Sequence, residues 1–364
     1  MINISIVSRG REHNIIEEVF VSRFKLYAVF LILFATFTVY ANEKSELFRY
    51  VPSTVSEVWK PVYEAFPDPK KALDMPKPND IKAWREIHET VEKERIPKEQ
   101  KAAHELGVSV EEKTLGDTPV LMLTPRNLQS SKKIIVYTHG GAYTMLSARS
   151  TLGAAALIAS STRLKVISVD YTNPPSVKWR DVTDQVVSVI DALRKDGYAM
   201  SDIAMMGDSA GGALAAGAAL KLRDTHGLLP GALVLWSPWA DITRTGESYV
   251  TLEDAEPRFI YQKVLKPSAD AYADPEEQKH PYVSPVYGDF FKGFPPTLIQ
   301  GGTREIFLSN FVRLYQAIDT AGGVVKLDLY EGMPHVFQAT LPQSPETKIA
   351  MRKVTAFLKK YLGD

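Results

Sequence analysis

Cysteine is absent from this chain of 364 residues, and neither sign of charge is in excess. Without cysteine there can be no disulfide framework, no thiolate nucleophile, no cysteine-ligated zinc and no iron–sulfur cluster. Lysine plus arginine and aspartate plus glutamate both number 43, so the formal net charge is zero. That balance argues against a nucleic-acid binder that works through a large basic surface. The 45% hydrophobic content excludes a disordered chain, and the length is enough for one large α/β domain or two small ones.

A single uncharged apolar run lies near the N-terminus, from Leu26 to Ala41. It is short for a bilayer span, which needs about 20 residues, and the basic residues Arg23 and Lys25 precede it. Because this pattern is typical of a secretory signal, we interpret residues 1–41 as a leader and expect a periplasmic or secreted protein. A membrane anchor through residues 26–41 and a buried core helix are the alternatives. The stretch before the run is long for a signal, so we hypothesise that translation starts near Val21.

The next part of the chain, residues 42–117, has a polar and helical texture. Apolar residues spaced i, i+3 and i+4 predict a helix over Lys82–Lys93, with Asn79 or Asp80 as its N-cap. Several prolines break the rest of this region into short pieces. We interpret it as a helical cap rather than as part of a sheet.

Residues 118–364 alternate short β-rich runs with longer helical patterns, which predicts an α/β fold with a mostly parallel sheet and helices on both faces. The stretch at about 241–295 is too long for a simple connection, and we interpret it as a second cap element. The predicted strands are Val120–Thr124, Ile134–Thr138, Val166–Asp170, Ile203–Gly207, Ala232–Ser237, Thr297–Gly301 and Val325–Tyr330. The predicted helices are Ser150–Ser160, Arg180–Lys195, Gly211–Asp224, Ser309–Ala321 and Ser344–Tyr361.

A candidate nucleophile lies where one predicted strand meets the next helix, in Gly207-x-Ser209-x-Gly211. A serine at such a sharp strand-to-helix turn needs small neighbours, because a Cβ there would collide with the adjacent strand or helix. At the N-terminus of its helix, Ser209 would also meet a dipole that favours developing negative charge. The motif alone is weak, and its position between strand and helix favours a nucleophile over a plain turn.

A second glycine cluster, His139-Gly140-Gly141-Ala142, directly follows the predicted strand that ends at residue 138. Acyl transfer creates an oxyanion, and exposed backbone amides are suitable donors for it. We assign the amides of Gly140 and Gly141, together with that of Ala210 after the nucleophile, to an oxyanion hole. His139 precedes the serine in the chain, so it is expected to support this loop rather than to transfer protons.

The general base should follow Ser209 and stand on a loop after a late strand. Of the three histidines beyond the serine, His226 ends the nucleophile helix and His280 lies in the charged second cap element. Only His335 directly follows the last predicted strand, so we predict it to be the base.

The acid that orients this histidine should follow the strand before the last one. Glu305 is the only carboxylate directly after that strand, and we predict it to be the acid. Asp241, which follows the preceding strand, is the alternative; its other expected role is to cap a helix of the second cap element.

Together these motifs resemble the hormone-sensitive-lipase-like family of α/β-hydrolases, which includes bacterial carboxylesterases. The resemblance implies a catalytic domain under a helical cap, no metal and no organic cofactor, and it supports Ser209, Glu305 and His335 as the triad. The family more often has aspartate where Glu305 stands, and the sequence after Tyr171 keeps only part of the family pattern. The shared segments are His139–Tyr143, Gly207–Gly212, Ser237–Asp241 and Gly332–His335.

The expected function is therefore a serine carboxylic-ester hydrolase that acts on short- to medium-chain esters through an acyl-enzyme. A lactone hydrolase, an amidase or peptidase, and a catalytically silent binding protein are the alternatives. Tyr143 and Trp239 are candidate pocket residues, as are Tyr261 and Phe290, although aromatic side chains of a cap as often form its core. The expected partner is a small-molecule ester rather than a nucleic acid, and many relatives form homodimers.

Overall fold

The computed structural model describes residues 47–129 and 132–363. The predicted leader and the proposed translation start lie outside these described residues. Leu47–Arg49 form one short 3₁₀ turn, and the chain from Val51 onward forms a separate compact unit. Within the described ranges, no helix is both long enough and apolar enough to cross a membrane.

One eight-stranded sheet organises this unit, with the strand order β1-β2-β4-β3-β5-β6-β7-β8. β2 pairs antiparallel with β1 and with β4, and all the other neighbouring pairs are parallel. The predicted mostly parallel sheet is confirmed. The strands are β1 (Val108–Leu115), β2 (Thr118–Pro125), β3 (Ile134–Thr138), β4 (Lys165–Val169), β5 (Ile203–Asp208), β6 (Ala232–Trp236), β7 (Thr297–Gly302) and β8 (Val325–Tyr330).

Ten α-helices surround or precede this sheet in the described residues. Every predicted strand and helix of the α/β part matches the structure to within two residues at each end. The helices are α1 (Lys60–Ala65), α2 (Ile81–Glu105), α3 (Leu152–Thr162), α4 (Trp179–Lys195), α5 (Ser209–His226), α6 (Ser248–Thr251), α7 (Lys266–Tyr272), α8 (Leu308–Thr320), α9 (Phe337–Thr340) and α10 (Pro345–Leu362).

Both faces of the sheet are covered, because alternate residues of each strand point to opposite sides. Ile134 and Val136 of β3 join a core formed with α4, α5 and α8. Ile135 and Tyr137 of the same strand join a second core formed with α3 and α10. The central strands are therefore apolar along their whole length, which is why they could be recognised from the sequence.

The interpretation of residues 42–117 as a helical cap outside the sheet is wrong for its last part. Residues 108–115 form β1, which lies at the edge of the sheet and pairs only with β2. Most of its side chains are exposed, and Glu111, Glu112 and Lys113 give it a polar sequence. An edge strand that buries neither face lacks the apolar pattern by which strands are recognised. The predicted helix over Lys82–Lys93 exists as part of the longer α2, and Asp80 caps it by accepting a hydrogen bond from Ala83.

The two segments interpreted as cap contact each other. The insertion at residues 241–295 consists of short helices and turns, among them α6, α7 and a π-helical turn over Tyr261–Leu265. Lys263 in this turn donates from Nζ to the carbonyl oxygens of Lys70 and Ala72 in the N-terminal segment. Its own carbonyl oxygen accepts from the amide of Met75.

The insertion also packs closely against α5, which begins at the candidate nucleophile. A Cβ on Gly217 in the middle of α5 would lie closer than 3.0 Å to the backbone carbonyl oxygen of Tyr282 in the insertion. Glycine is otherwise unfavourable within a helix, so this close approach accounts for its presence.

We therefore expect Gly217→Ala to destabilise the protein by about 1–3 kcal/mol through overpacking. A decrease in the free energy of unfolding would indicate crowding, because the same exchange in an uncrowded helix increases it by about 0.5–1 kcal/mol. The free energy of unfolding, measured with chemical denaturant, tests it, and a stabilised variant would contradict the observed packing.

Candidate active site

The turn between β5 and α5 holds Ser209 in a strained backbone conformation. Ser209 has φ of +56°, which is rare for a residue with a side chain. A Cβ on Gly211 would lie closer than 3.0 Å to the carbonyl oxygens of Thr138 and His139 at the end of β3. Likewise, a Cβ on Gly207 would crowd the backbone of Gly211. Because a Cβ would collide at both positions, only glycine at positions 207 and 211 allows the turn to place Ser209 beside the end of β3.

Glu305 and His335 meet beyond the ends of β7 and β8. Nδ1 of His335 lies 2.6 Å from Oε2 of Glu305. The other carboxylate oxygen, Oε1, accepts hydrogen bonds from the amide of Gly302 at 2.6 Å and from the hydroxyl of Ser237 at 2.8 Å. The Glu305 side chain is fully buried and that of His335 nearly so. Because Nδ1 faces the carboxylate, Nε2 is the imidazole atom that can accept a proton.

Burial sets the charge preferences of this pair. Burial lowers the pKa of His335, so the imidazole is neutral at neutral pH and can act as a base. Burial raises the pKa of Glu305, while the donors Gly302 and Ser237 oppose that rise. The rings of Phe259 and Phe307 pack edge-on against His335 at centroid distances of 5.1 and 5.0 Å, which helps to exclude water from the pair.

Ser237 is a site residue that we did not predict individually. Its hydroxyl donates to Glu305 and accepts from the amide of Val336, the residue after the histidine, at 3.1 Å. It therefore connects the loops that carry Glu305 and His335. Two signals were available: its position directly after β6, and its place in a segment shared with the resembled family. Its positive φ of 46° appears only in the structure.

The oxyanion loop differs from its prediction at one residue. The amide of Gly140 donates to Oδ1 of Asp208 at 3.0 Å, so it is already used inside the protein. Asp208 also accepts a hydrogen bond from the buried hydroxyl of Tyr137. The assignment of Gly140 to the oxyanion hole is therefore wrong, because its N–H holds the loop instead. Gly141 and Ala142, which follow in the same tight turn, both have positive φ.

His139 orients the amide of Gly141. Its Nδ1 lies 2.8 Å from the carbonyl oxygen of Gly140, and because a carbonyl only accepts, Nδ1 must carry the proton. In a planar trans peptide the N–H points opposite to the C=O. The hydrogen bond that fixes the Gly140 carbonyl thus fixes the direction of the Gly141 amide. This geometry is the supporting role that the sequence predicted for His139.

Two side chains from the segment after β4 brace the same loop. Tyr171 donates to the carbonyl oxygen of His139 at 2.8 Å, and the two rings stack at 4.1 Å. Asn173 donates from its amide to the carbonyl oxygens of Tyr143 at 2.7 Å and Leu146 at 3.1 Å. Asn173 lies in the stretch that departs from the family pattern, and in this chain it braces the loop that follows β3.

The remaining candidates lie elsewhere. Asp241 is fully buried and binds Arg313 at 2.6 Å and Tyr287 at 2.9 Å, so it anchors the insertion instead of facing His335. His226 at the end of α5 lies 3.6 Å from an aspartate of α4. The ring of His280 packs on Trp179.

The candidate pocket residues Tyr143 and Trp239 are both fully buried. Tyr143 stacks on Tyr272 with ring centroids 3.6 Å apart, and Trp239 packs on Phe307 at 5.9 Å. They belong to the apolar core, as do Tyr261 and Phe290, so the structure places them in the packing rather than on an open pocket wall. Across residues 47–129 and 132–363, no group of three or more potential ligand side chains could hold a metal ion.

Known proteins share the fold of this chain and part of its sequence. A family model described as alpha/beta hydrolase fold matches residues 135–339. An acetyl-hydrolase from Streptomyces hygroscopicus is 30% identical over 239 residues, which cover 66% of this chain and 79% of the relative. The crystal structure of esterase E25 has 32% identity and a TM-score of 0.80, covering 85% of this chain and 96% of that one. An esterase described as a member of the bacterial hormone-sensitive lipase family has 27% identity and a TM-score of 0.67, covering 77% and 98%.

The chain therefore belongs to the α/β-hydrolases, in the family that resembles hormone-sensitive lipase. It is an esterase- or lipase-like hydrolase whose chemistry is the hydrolysis of carboxylic esters. The resemblance inferred from the motifs is confirmed.

The role of His139 leads to a prediction with a matched control. In His139→Phe the hydrogen bond to the Gly140 carbonyl is lost, so we expect kcat for ester hydrolysis to fall about 10- to 100-fold with little change in KM. In His139→Asn the side-chain amide can still donate near the position of Nδ1, so most of kcat should be retained. Steady-state kinetics of both variants test this, and equal losses would contradict an orienting role.

Proposed function

We propose that this hydrolase works through a Ser209-His335-Glu305 triad and an acyl-enzyme intermediate. The observation that carries the proposal is the buried 2.6 Å contact between His335 Nδ1 and Glu305 Oε2, which leaves Nε2 as the proton-accepting atom. The strained turn that presents Ser209 at the start of α5 supports the same assignment.

In the proposed mechanism, Ser209 attacks the ester carbonyl while His335 accepts its proton. Glu305 holds the imidazole in the required tautomer and stabilises the imidazolium that forms. The amides of Gly141, Ala142 and Ala210 would stabilise the tetrahedral oxyanion. His335 then protonates the leaving alcohol, and a water molecule activated by the same imidazole hydrolyses the acyl-enzyme.

The proposed substrates are short- to medium-chain carboxylic esters. Ser209 is only 7% exposed, and the aromatic rings of Phe259 and Phe307 close around His335. A surrounding this close suits small acyl groups better than long chains. The acetyl-hydrolase among the relatives supports the same substrate size.

A series of nitrophenyl esters of increasing acyl length, measured beside lactones, tests the substrate proposal. We expect kcat/KM to be highest for short and medium acyl chains and to fall for long ones, because the buried Ser209 and the aromatic rings beside His335 favour small acyl groups. A preference for lactones or for long-chain esters would contradict it.

Variants of the triad test the mechanism. Ser209→Ala should lower kcat by about 3 to 6 orders of magnitude, since it removes the nucleophile. Glu305→Gln should lower kcat by about 10³- to 10⁴-fold, because the imidazole loses the partner that fixes its tautomer. Asp241→Asn removes a carboxylate that is equally buried but does not contact His335, so it should stay within about tenfold of the wild type.

A fluorophosphonate probe separates catalysis from mere binding. The wild type should be labelled at Ser209, whereas the alanine variant should not. A wild type that binds esters but resists labelling would instead indicate a catalytically silent protein on this fold.

A further inference from the structure

One fully buried carboxylate near the triad has no part in the mechanism above. Glu256 lies in the insertion and is 0% exposed. Its Oε1 accepts from the amide of Arg258 at 2.9 Å, and its Oε2 accepts from the amide of Ile306 at 3.1 Å. Ile306 directly follows Glu305, the triad acid. Burying a carboxylate costs free energy unless hydrogen bonds replace its hydration. The burial of Glu256 beside the loop of Glu305 therefore calls for a physical explanation.

The contacts around Glu256 fix the loop of Glu305 on both sides. Before the acid, the guanidinium of Arg304 donates to the carbonyl oxygen of Ala255 at 3.2 Å. After the acid, Ile306 is held at both backbone groups: its N–H donates to Glu256, and its carbonyl accepts from the hydroxyl of Ser248 at 2.6 Å. All three partners belong to the insertion, so the insertion holds the acid of the triad in place.

We propose that Glu256 is a positioning residue of the triad, whose carboxylate fixes the loop of Glu305 and electrostatically stabilises the imidazolium formed on His335. The inference rests on the proposed triad mechanism. Two observations support the proposal. The amide of Ile306 donates a hydrogen bond to Glu256, and the ring of Phe259, which lies in the same segment as Glu256, packs against the imidazole of His335. The segment that contains Glu256 and Phe259 therefore contacts both the loop of Glu305 and the ring of His335.

The charge on Glu256 acts on the histidine. When ionised, Glu256 raises the pKa of His335, against the lowering caused by burial. Burial raises the pKa of Glu256 itself to about 7. The carboxylate is therefore neutral below that pH and negatively charged above it. The titratable and charged groups that surround Glu256 and His335 are Glu305, Arg258, Asp208, Tyr63 and Arg304.

The sign of the pH effect follows from this titration. Below about pH 7 wild-type Glu256 carries no charge, and glutamine at this position is a fair electrostatic substitute for it. Above that pH only the wild type places a negative charge near the imidazolium of the transition state. A purely structural loss would lower activity equally at all pH values, whereas the electrostatic loss grows with pH.

The experiment compares kcat/KM of the wild type, Glu256→Gln, Glu256→Asp and Asp241→Asn from about pH 6 to about pH 9 on a short nitrophenyl ester. We expect the ratio of wild type to Glu256→Gln to increase about tenfold across this range, with most of the change in kcat. The ratio of wild type to Asp241→Asn should be constant with pH, because Asp241 is a buried carboxylate bonded to Arg313 and is not among the charged groups that shift the pKa of His335.

The aspartate variant keeps the test decisive if the glutamine variant does not fold. Glu256→Asp retains an ionisable group, so the rise of kcat/KM near neutral pH should persist but with a displaced midpoint. A constant ratio for Glu256→Gln, or an unchanged midpoint for Glu256→Asp, would overturn the inference. Failure of the proposed mechanism would look different, since the wild type itself would then lack hydrolysis and fluorophosphonate labelling.

Discussion

The close approach of α5 to the end of β3 is the constraint on which the rest of the site depends. A Cβ on Gly211 would collide with the carbonyl oxygens of Thr138 and His139, so the helix begins directly against the end of β3 and the loop that follows it. A single Cβ at this position would force the two elements apart. This packing places Ser209 beside the loop that holds Gly141, so the amides proposed to bind the oxyanion would be positioned by the backbone before any substrate binds.

Around this unit the protein buries three carboxylates, and each one is stabilised by a different part of the chain. Asp208 holds the oxyanion loop through Gly140, while Glu305 is bonded by Gly302 and Ser237. Glu256 is bonded by backbone amides of the insertion and of the acid loop. Buried carboxylates are stable only when hydrogen bonds replace their hydration. The site therefore forms only when segments that are distant in the sequence come together with the geometry that these hydrogen bonds require.

Structural features that depend on a local sequence pattern could be predicted, whereas features that depend on contacts between distant residues were missed. Central strands that are apolar on both faces, and the loops directly after them, led to Ser209, His335 and Glu305. The edge strand β1 was missed because its exposed glutamate and lysine side chains interrupt the alternation of apolar and polar residues by which a strand is recognised. Gly140 was misassigned because the competing acceptor, Asp208, lies 68 residues away along the chain. Tyr143 and Trp239 could not be assigned to core or pocket, since an aromatic side chain has the same sequence signature in both.

The insertion at residues 241–295 also contacts the groups of the proposed triad. Its residues Ser248 and Glu256 bond both backbone groups of Ile306, and Phe259 packs on the imidazole of His335, so the loop of Glu305 and the ring of His335 are both in contact with it. It is also packed against α5 through Gly217 and bonded to the N-terminal segment through Lys263. A sequence change that reshapes the insertion to accept another substrate must therefore preserve these contacts. The insertion and the proposed triad are linked through hydrogen bonds to one loop, and the freedom to vary the insertion lies in residues outside that set.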